Sequence, residues 1–435
     1  MRFKSFLHYL HFRFKRKGDY WRTLLEQISY ENMPLEELRR IQFEKTKRLL
    51  IHAYENVPFY RKKFDAAGFN PYKFKSMKQY SSVPVTTKEE LRNAGHEQTK
   101  AKGIPADRFV SDKTAGSTGK PLFFFKDSAF EVSEACALLR EHLRAGVSIG
   151  DPCVILRGNP PKGLKQGLFH STYFYSTKKF EEEKLLDFLS FLKQKRIQII
   201  DGFPSFLAAV AKKMREKGVK LKTKAILAGG EMLFPEQRKL IQEAFSSEVF
   251  DRYGAAEGMG IAMECNLHNG LHYDPTRFVV EVLDEKSHET LVDKEGVVCL
   301  TNLENYAMPF IRYLMNDRAV LHSGRCSCGL EFPLMSSVKG RVLDALWTRS
   351  GKLLDFNMLD PYEHYDMLDG FQMVLRKDGT IEARIVPLGN PEQVKRAVEK
   401  ELREYLDSSI KLLVKAVDSI PPDRTGKRPC VVVER

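Results

Sequence analysis

Apolar residues recur along the chain with two different periods, which separate predicted helices from predicted strands. Over 34–55 they return every three or four residues, and this predicts an amphipathic helix that ends before Pro58. From residue 107 to residue 250, short apolar runs alternate with helical stretches, a pattern typical of a parallel sheet with helical crossovers. We expect strands at 152–156, 197–200, 225–228 and 248–250, and helices at 182–195, 205–217 and 235–246.

The pattern changes again toward the end of the chain. Two further strands, expected to be antiparallel, are followed beyond Gly340 by a new alternation of strands and one helix. The fold class is therefore α/β, with a large domain over 1–341 that combines mixed parallel sheets and helices, and a small mobile α+β domain over 342–435. The late elements are strands at 278–284 and 296–301, a hairpin at 371–386 that turns at Asp378-Gly379, a helix at 391–406 and a strand at 410–417.

The composition is that of a globular protein with an excess of positive charge. Hydrophobic residues make up 43% and charged residues 29% of the 435 positions, and the formal net charge is +13. No apolar run approaches the roughly 20 residues that a membrane-spanning helix needs. Basic residues also interrupt the apolar positions that an N-terminal secretory signal would require. Seven scattered cysteines do not form a disulfide pattern, so we expect a cytoplasmic protein.

Much of the positive charge lies in residues 1–63, and residues 1–17 also interleave aromatic and basic side chains. We favour a first helix that docks on the rest of the protein with a solvated basic edge. Two alternatives stay open: peripheral contact of residues 1–17 with the inner face of a membrane, and a surface that binds nucleic acid or another polyanion. The sequence carries no nucleic-acid motif, so no nucleic-acid partner is expected.

A loop rich in glycine and hydroxyl residues has the chemistry of a phosphate-binding site. Its glycines allow close approach of the backbone, its hydroxyl and N–H groups can donate to phosphate oxygens, and its lysine adds a cation. It differs from a Walker A loop, because two residues separate its glycines and Pro121 follows the lysine. An ordinary turn is the alternative. The candidate phosphate-binding residues are Thr114, Gly116, Ser117, Thr118, Gly119 and Lys120.

Further segments carry residues suited to nucleotide chemistry. Glu257 follows a predicted strand, at the strand end where open α/β sheets bind ligands. Asp317 ends another segment after a strand, Lys339–Asp344 marks the domain boundary, and Lys427 lies in a terminal loop. Each alone is also typical of a surface turn, and it is their order along the chain that points to function.

This ordered set resembles the adenylate-forming (ANL) superfamily of acyl-CoA synthetases, adenylation domains and luciferases. Within it, the chain is most similar to the phenylacetate–CoA ligase family and its CapK-like capsular-polysaccharide relatives, and the resemblance covers essentially the whole chain. It implies an enzyme that uses ATP and Mg²⁺ to activate a small carboxylic acid as an acyl-adenylate. The acceptor would be the thiol of CoA, an amine, or a hydroxyl such as that of a sugar in a polysaccharide pathway.

The resemblance also implies a role for each motif. The 114–121 loop would bind the β- and γ-phosphates of ATP, Glu257 would hold Mg²⁺, and Asp317 would accept hydrogen bonds from the ribose hydroxyls. At the domain boundary and beyond, Arg341 would reach the ribose or phosphate, Asp344 would be the hinge, and Lys427 would enter the site for adenylation. The other residues that it places at the nucleotide are Gly229, Gly230, Glu231, Tyr253, Gly254 and Ala256.

Three departures from the family pattern bear on activity and on the acceptor. Ala256 stands where the family usually has Thr or Ser before the magnesium-binding acid, and Met315-Asn316 replaces Thr-Gly. Residues 347–354 offer only Gly351 where CoA ligases have a glycine-rich turn. Adenylation is therefore better supported than thioester formation. The alternative is a weakly active or inactive relative that acts as a membrane-associated scaffold in a polysaccharide pathway.

Cysteine and histidine residues form two short clusters that are distant in sequence. Thiolate and imidazole ligands suit tetrahedral zinc. Some phenylacetate–CoA ligase relatives carry a structural zinc at the corresponding segments, and His272 matches that family better than His268. Reduced cysteine and histidine residues in cytosolic loops are the alternative. We expect a structural zinc site with ligands drawn from Cys265, His268, His272, Cys326 and Cys328.

Overall fold

The computed structural model describes most of the chain. No helix among the described residues is both long and apolar enough to cross a membrane. The predicted basic helix in residues 1–17 lies outside them, so its contacts stay a prediction. The described residues are 20–105, 109–113, 122–157, 172–176, 184–339, 346–347, 353–354, 367–406, 410–421 and 431–434.

Helices form the N-terminal part of the described chain. The helix predicted over 34–55 spans Leu35–Asn56, and Pro58 begins the next helix, where a missing backbone N–H costs nothing. The apolar face of the long helix packs on aromatic side chains, among them Tyr60 and Phe64. The helices are α1 (Tyr20–Ser29), α2 (Leu35–Asn56), α3 (Pro58–Ala66), α4 (Lys88–Ala94) and α5 (His96–Thr99), with 3₁₀ turns at Tyr30–Asn32, Pro71–Lys73 and Met77–Ser82.

An antiparallel hairpin precedes the main sheet. Its strands are β1 (Phe109–Lys113) and β2 (Phe123–Asp127), and they flank residues 114–121. Helix α6 (Ser128–Arg144) follows at once, and the Asp127 carboxylate caps it by accepting a hydrogen bond from the Phe130 backbone N at 2.8 Å. The hairpin is therefore fixed to the start of a long helix.

The core is one mixed sheet, to which the described residues contribute eleven strands. One half is parallel and contains all four strands predicted for the parallel sheet. Its strands are buried against helices in one hydrophobic cluster, because crossover helices cover a parallel sheet. The elements are β3 (Cys153–Arg157), β4 (Thr172–Ser176), α7 (Lys184–Gln194), β5 (Ile199–Gly202), α8 (Pro204–Glu216), β6 (Ala225–Gly229), α9 (Pro235–Phe245) and β7 (Glu248–Ala255).

The other half of the sheet is antiparallel, and it contains the strands predicted at 278–284 and 296–301. The order across the whole sheet is β10-β11-β12-β13-β9-β8-β7-β6-β5-β3-β4. Strand β7 therefore borders both halves. The antiparallel strands are β8 (Gly258–Glu264), β9 (Leu271–Tyr273), β10 (Phe278–Leu283), β11 (Glu295–Asn302), β12 (Tyr313–His322) and β13 (Leu334–Met335).

A small separate sheet follows at the C-terminal end. The hairpin predicted to turn at Asp378-Gly379 is present, and the Asp378 carboxylate accepts a hydrogen bond from the Thr380 backbone N at 2.9 Å. The strand order is β18-β17-β16-β19, and α10 packs on this sheet. The elements are a short ladder of β14 (Leu346–Trp347) with β15 (Leu353–Leu354), then β16 (Leu368–Leu375), β17 (Ile381–Pro387), α10 (Pro391–Tyr405), β18 (Leu412–Ala416) and β19 (Val431–Val433).

The α/β class, with a large mixed sheet and a small C-terminal sheet, is confirmed. Two strands extend through residues that the sequence pattern placed beyond a strand: β7 runs on to Ala255, and Asp317 lies inside β12. Both segments contain polar residues, which hide the strand pattern, and these residues are buried with partners. Strands β1, β2, β4, β8, β9, β12 to β15 and β19 were not predicted. The boundary at 341–342 falls outside the described residues and stays a prediction.

Candidate functional site

The ends of the parallel strands bring several predicted site residues to one edge of the sheet. Gly229 ends β6 and pairs with Arg252 of β7, so Tyr253 follows directly on the neighbouring strand. A Cβ atom at Gly229 would lie 2.9 Å from the Arg252 carbonyl oxygen, so only glycine fits there. Glu257 lies two residues beyond the end of β7. This is the edge at which open α/β sheets bind ligands.

Tyr253 and Asp317 are in direct contact, although 64 positions separate them in the chain. The Tyr253 hydroxyl donates a hydrogen bond to Asp317 Oδ2 at 2.7 Å, and both residues are 9% exposed. Strand β12 therefore comes close to β7 here, although β13, β9 and β8 lie between them in the strand order. One carboxylate oxygen of Asp317 is therefore fixed by the protein, and a carboxylate is an acceptor suited to hydroxyl groups.

Glu257 lies in a tight turn between β7 and β8 and is 6% exposed. The buried Asn302 side chain donates from Nδ2 to the Glu257 carbonyl oxygen at 2.7 Å. A Cβ atom at Gly258 would lie 2.6 Å from the Phe278 ring, so the turn packs against β10 as closely as glycine permits. A buried carboxylate at such a site is a suitable oxygen ligand for Mg²⁺.

The side chain of Glu231 serves a neighbouring helix. Its Oε2 accepts a hydrogen bond from the Ser205 backbone N, at 3.1 Å, in the first turn of α8. A carboxylate is stabilised there because the N-terminus of a helix carries unpaired N–H groups. Gly230 precedes it, and Gly254 and Ala256 flank the Tyr253 segment. Their contact with a nucleotide stays a prediction.

A buried ion network supports the strands beneath this edge. Both Asp201 carboxylate oxygens accept hydrogen bonds from Arg252 Nη2 at 2.9 Å, and Glu141 of α6 lies 3.6 Å from Arg252 Nη1. Burial raises the pKa of Glu141, and the Arg252 charge opposes that shift. The network ties β5, β7 and α6 together and explains why charged residues occur within a buried strand.

Four predicted site segments lie outside the described residues. They are the loop that holds Thr114, Gly116, Ser117, Thr118, Gly119 and Lys120, and the separate residues Arg341, Asp344 and Lys427. Their roles stay predictions. The strands that flank the loop are described, and Lys113 of β1 pairs with Phe123 of β2, so the two ends of the loop are neighbours.

A cluster of three cysteines and one histidine lies elsewhere in the sheet. The possible ligand atoms of Cys265, His272, Cys326 and Cys328 all lie within 4.8 Å of one another. Cys265 Sγ is 3.7 Å from Cys326 Sγ, and Cys328 Sγ is 3.4 Å from His272 Nε2. Zinc–sulfur bonds of about 2.3 Å in a tetrahedron place two sulfurs about 3.8 Å apart, so the set fits zinc.

The tautomer of His272 also suits a metal ligand. Its Nδ1 lies 2.8 Å from the Phe332 carbonyl oxygen, so Nδ1–H donates there and the Nε2 lone pair faces Cys328. Burial lowers the pKa of His272 and keeps the ring neutral. His268, the other predicted ligand, is outside the cluster: its Nδ1 pairs with Glu264 at 2.8 Å. The structure therefore brings together four of the five predicted metal ligands.

Sequence reasoning missed the buried residues that hold the Glu257 turn. Asn302 bonds to the backbone of the turn, and Glu134 and Arg277 bond to the backbone of the β8 residues that follow it. Their spacing carries no motif, since they come from α6, β11 and the segment before β10. The sequence offers one signal, which is that charged residues occur inside apolar stretches. This indicates that such residues are buried with polar partners, but it does not identify the partners.

No protein-family model matches the chain. It is 27% identical to the phenylacetate–coenzyme A ligase of Thermus thermophilus over 375 residues, which cover 82% of this chain and 83% of that protein. It is 28% identical to the enzyme of the same name from Aromatoleum evansii, over 87% of this chain and 90% of that protein. An indoleacetate–lysine synthetase of Pseudomonas savastanoi is 30% identical over 29% of this chain and 30% of that protein.

Solved structures share the fold over most of the chain. A 2-hydroxyisobutyryl-CoA ligase with a bound acyl-adenylate, in the postadenylation state, superposes with a TM-score of 0.78 at 19% identity, over 93% of this chain and 91% of that one. An anthranilate CoA ligase with anthranoyl-AMP superposes with a TM-score of 0.54 at 11% identity, over 75% of this chain and 66% of that one. The relatives reported over most of this chain are therefore phenylacetate–CoA ligases, and its fold is that of the solved adenylate-forming CoA ligases.

Proposed function

We propose that the protein is an AMP-forming ligase. A substrate carboxylate attacks the α-phosphorus of ATP, the bond to the bridging oxygen breaks, and pyrophosphate leaves with its electron pair. The acyl-adenylate then reacts with the thiol of CoA, which loses its proton as AMP departs from the acyl carbon. The observation that supports this most is the contact of Tyr253, near the C-terminal end of β7, with Asp317, in a chain similar to phenylacetate–CoA ligases over more than four-fifths of its length.

The predicted site residues have separate roles in this proposal. Asp317 accepts hydrogen bonds from the ribose hydroxyls, and Gly229 and Tyr253 line the adenine pocket. Glu257 would hold Mg²⁺, which when bound neutralises charge on the phosphate oxygens. The loop 114–121 binds the β- and γ-phosphates, and Lys427 arrives from the small domain to stabilise the charge that develops at the α-phosphate.

The acceptor is proposed to be CoA, because the relatives matched over most of the chain are CoA ligases. An amine is a second candidate, favoured only by the partial match to an indoleacetate–lysine synthetase. A sugar hydroxyl in a polysaccharide pathway stays a prediction of the sequence resemblance. Residues 347–354 contain a single glycine, Gly351, where CoA ligases have a glycine-rich turn. The identity of the acceptor should therefore be measured directly.

The decisive experiment is ATP–pyrophosphate exchange with aryl, fatty, hydroxy and amino acids. We expect exchange that depends on Mg²⁺ and on at least one acid of the panel. With that acid, CoA, lysine and a sugar are then offered separately, and AMP release identifies the acceptor. Absence of exchange with every acid would refute the proposal and favour a scaffold that keeps only the fold. Peripheral membrane contact is a separate proposal, tested by liposome flotation with and without residues 1–17.

We also propose that Cys265, His272, Cys326 and Cys328 hold a structural zinc ion. Four protein ligands fill a tetrahedral site and leave no position for a substrate. The site joins the segment after β8 to the segment before β13, so its role would be to stabilise the antiparallel half of the sheet.

A further inference from the structure

Three buried side chains from other parts of the chain form hydrogen bonds with the backbone of residues 257–260, the turn that carries Glu257 and the start of β8. They belong to Glu134, Arg277 and Asn302, and we call them the turn clamp. Asn302 Nδ2 donates to the Glu257 carbonyl oxygen at 2.7 Å. The Met259 backbone N donates to Glu134 Oε1 at 3.0 Å. Arg277 Nη1 donates to the carbonyl oxygens of Met259 and Gly260 at 3.1 and 3.2 Å. Four backbone groups of the turn and of the first residues of β8 therefore have side-chain partners.

Glu134 also binds the hairpin that flanks the 114–121 loop. Its second oxygen, Oε2, lies 3.0 Å from Lys126 Nζ on β2, and the same ammonium lies 2.9 Å from Asp112 Oδ2 on β1. Glu134 and Lys126 are each 5% exposed. One carboxylate thus connects the Glu257 turn through one oxygen and both strands of the hairpin through the other.

The other two members of the turn clamp are linked through Glu304. Arg277 Nε donates to Glu304 Oε2 at 2.9 Å, and the Glu304 backbone N donates to Asn302 Oδ1 at 3.0 Å. Ser133, next to Glu134 on α6, also donates from its hydroxyl to Glu304 Oε2 at 2.7 Å. The polar contacts around the turn are therefore connected to one another, and a shift of the turn would break several of them together.

Fold stability alone does not explain a buried charged pair at this place. Removing two charges from water costs several kcal/mol, and apolar residues of similar volume often serve stability equally well or better. What an apolar pair could not do is accept a hydrogen bond from the Met259 backbone N. The carboxylate is needed where one residue must hold a backbone turn and a cationic side chain at the same time.

We propose that Glu134 is a positioning residue that fixes the Glu257 turn relative to the hairpin of the 114–121 loop. In the proposed function, on which this inference rests, those two elements bind the metal ion and the phosphates of one nucleotide. Glu134 does not touch the nucleotide in this proposal. It sets the separation between Glu257 and the 114–121 loop. Its loss should therefore change the Mg²⁺ dependence of the reaction more than it changes the stability of the fold.

The test compares Glu134→Gln with a double variant and with a matched control. Glu134→Gln keeps the shape and an acceptor for Met259 but removes one of the two carboxylates that pair with Lys126, the other being that of Asp112. The double variant Lys126→Met/Glu134→Leu replaces the pair with apolar side chains and leaves the Met259 backbone N without its acceptor. The control is Glu281→Gln, since Glu281 is 7% exposed, pairs with buried Arg312 at 2.9 Å and contacts neither the turn nor the hairpin through any described bond.

Two measurements are made on each full-length variant. The first is the Mg²⁺ concentration that gives half-maximal ATP–pyrophosphate exchange, together with the maximal rate. Misplaced reacting groups cost rate steeply, so we expect the Glu134 variants to need more Mg²⁺ and to lose on the order of 10- to 100-fold in maximal rate. The second is hydrogen–deuterium exchange in peptides that cover 256–262 and 109–127, which we expect to rise in both Glu134 variants and to stay unchanged in Glu281→Gln.

The outcomes separate this inference from the proposed function. If the double variant regains stability and also regains the wild-type Mg²⁺ dependence, the pair is only structural and the inference is wrong. If the wild-type protein shows no exchange with any acid, the proposed function fails, and deuterium exchange alone decides whether Glu134 holds the two elements. Unchanged deuterium exchange in both peptides would overturn the inference whether or not the protein is active.

Discussion

At the scale of single residues, the contact between Tyr253 and Asp317 is the most informative feature of the candidate site. The sequence predicted both as nucleotide-binding residues, and the structure places the tyrosine hydroxyl 2.7 Å from the carboxylate. The hydrogen bond orients Asp317 before any ligand arrives. Preorganisation of this kind reduces the entropy that a site loses when it binds its ligand.

We expect Tyr253→Phe to weaken ATP binding on the order of 10-fold, because Asp317 must then be oriented when the ligand binds and not beforehand. The hydrogen bond is also present in the free protein, so its loss should lower the free energy of unfolding by about 1.5–3 kcal/mol. Isothermal titration with ATP measures the change in affinity. Tyr60→Phe is the control, because the buried Tyr60 hydroxyl bonds to the Pro309 carbonyl oxygen at 2.9 Å, away from the site. Equal ATP affinity in the two variants would contradict the role of Tyr253.

The carboxyl group of Asp251 should make stability depend on pH. Burial first, and the charge of Glu264 second, raise its pKa to about 7 from 3.8. Because the pKa is higher in the folded state, that state retains a proton which the unfolded chain has lost, so stability falls as pH rises from about 4 to about 7. We therefore compare the free energy of unfolding of Asp251→Asn with that of the wild type. We expect this difference, variant minus wild type, to be about 2 kcal/mol more positive at pH 8 than at pH 5.

Urea unfolding of both proteins at the two pH values measures this difference. The comparison uses the difference between variant and wild type, so groups that titrate equally in both proteins cancel. A stability difference that is the same at pH 5 and pH 8 would show that Asp251 is ionised over the whole range.

At the scale of elements, the antiparallel half of the sheet depends on very short strands. Strand β9 has three residues and β13 has two, yet they join β8 to β12. Such short strands contribute few backbone hydrogen bonds. His272 of the cluster lies in β9, and its three cysteines lie on segments next to these strands. A bound metal ion would therefore add a link between strands that few backbone hydrogen bonds hold together.

We expect the purified protein to contain about one zinc ion per chain, and His272→Ala to lose it. His268→Ala is the matched control, because His268 lies near the cluster but pairs with Glu264. Metal analysis by mass spectrometry and thermal unfolding with and without a chelator measure the effect. We expect chelation to lower the unfolding temperature of the wild type and of His268→Ala. Zinc retained by His272→Ala would exclude the proposed ligand set.

At the scale of the whole molecule, periodicity predicted helices α2 and α7 to α10 and the parallel strands β3, β5, β6 and the start of β7, but it missed α1, α3 to α6 and β4. It failed where polar residues enter a strand. Asp251 and Arg252 interrupt the apolar pattern of β7, and Asp317 interrupts that of β12. These polar residues can lie in buried strands because residues from distant parts of the chain pair with them, as Asp201 does with Arg252. The turn clamp could not be predicted for the same reason. Sequence order predicted residues that would contact a ligand, but it gave no prediction for the residues that hold those residues in place.

The proposed catalysis needs both parts of the chain, and Lys427 tests this. We expect Lys427→Ala to abolish acid-dependent pyrophosphate release while ATP binding survives, since one positioned charge is worth about 3 kcal/mol or more of barrier, roughly 100-fold in rate. Lys411→Ala, an exposed lysine of the same domain, is the control. Undiminished release by Lys427→Ala would refute the assignment of this lysine.

Phe234 belongs to the hydrophobic cluster of the small sheet, although it lies only five positions beyond Gly229 in the large one. Lys212 of α8 adds a hydrogen bond to the Leu368 carbonyl oxygen. A chimera that exchanged the C-terminal part with that of a relative would therefore leave an aromatic side chain facing a foreign surface. Grafts of this kind must transplant residue 234 and its neighbours together with the domain, or the exchanged part will lose a piece of its own interior.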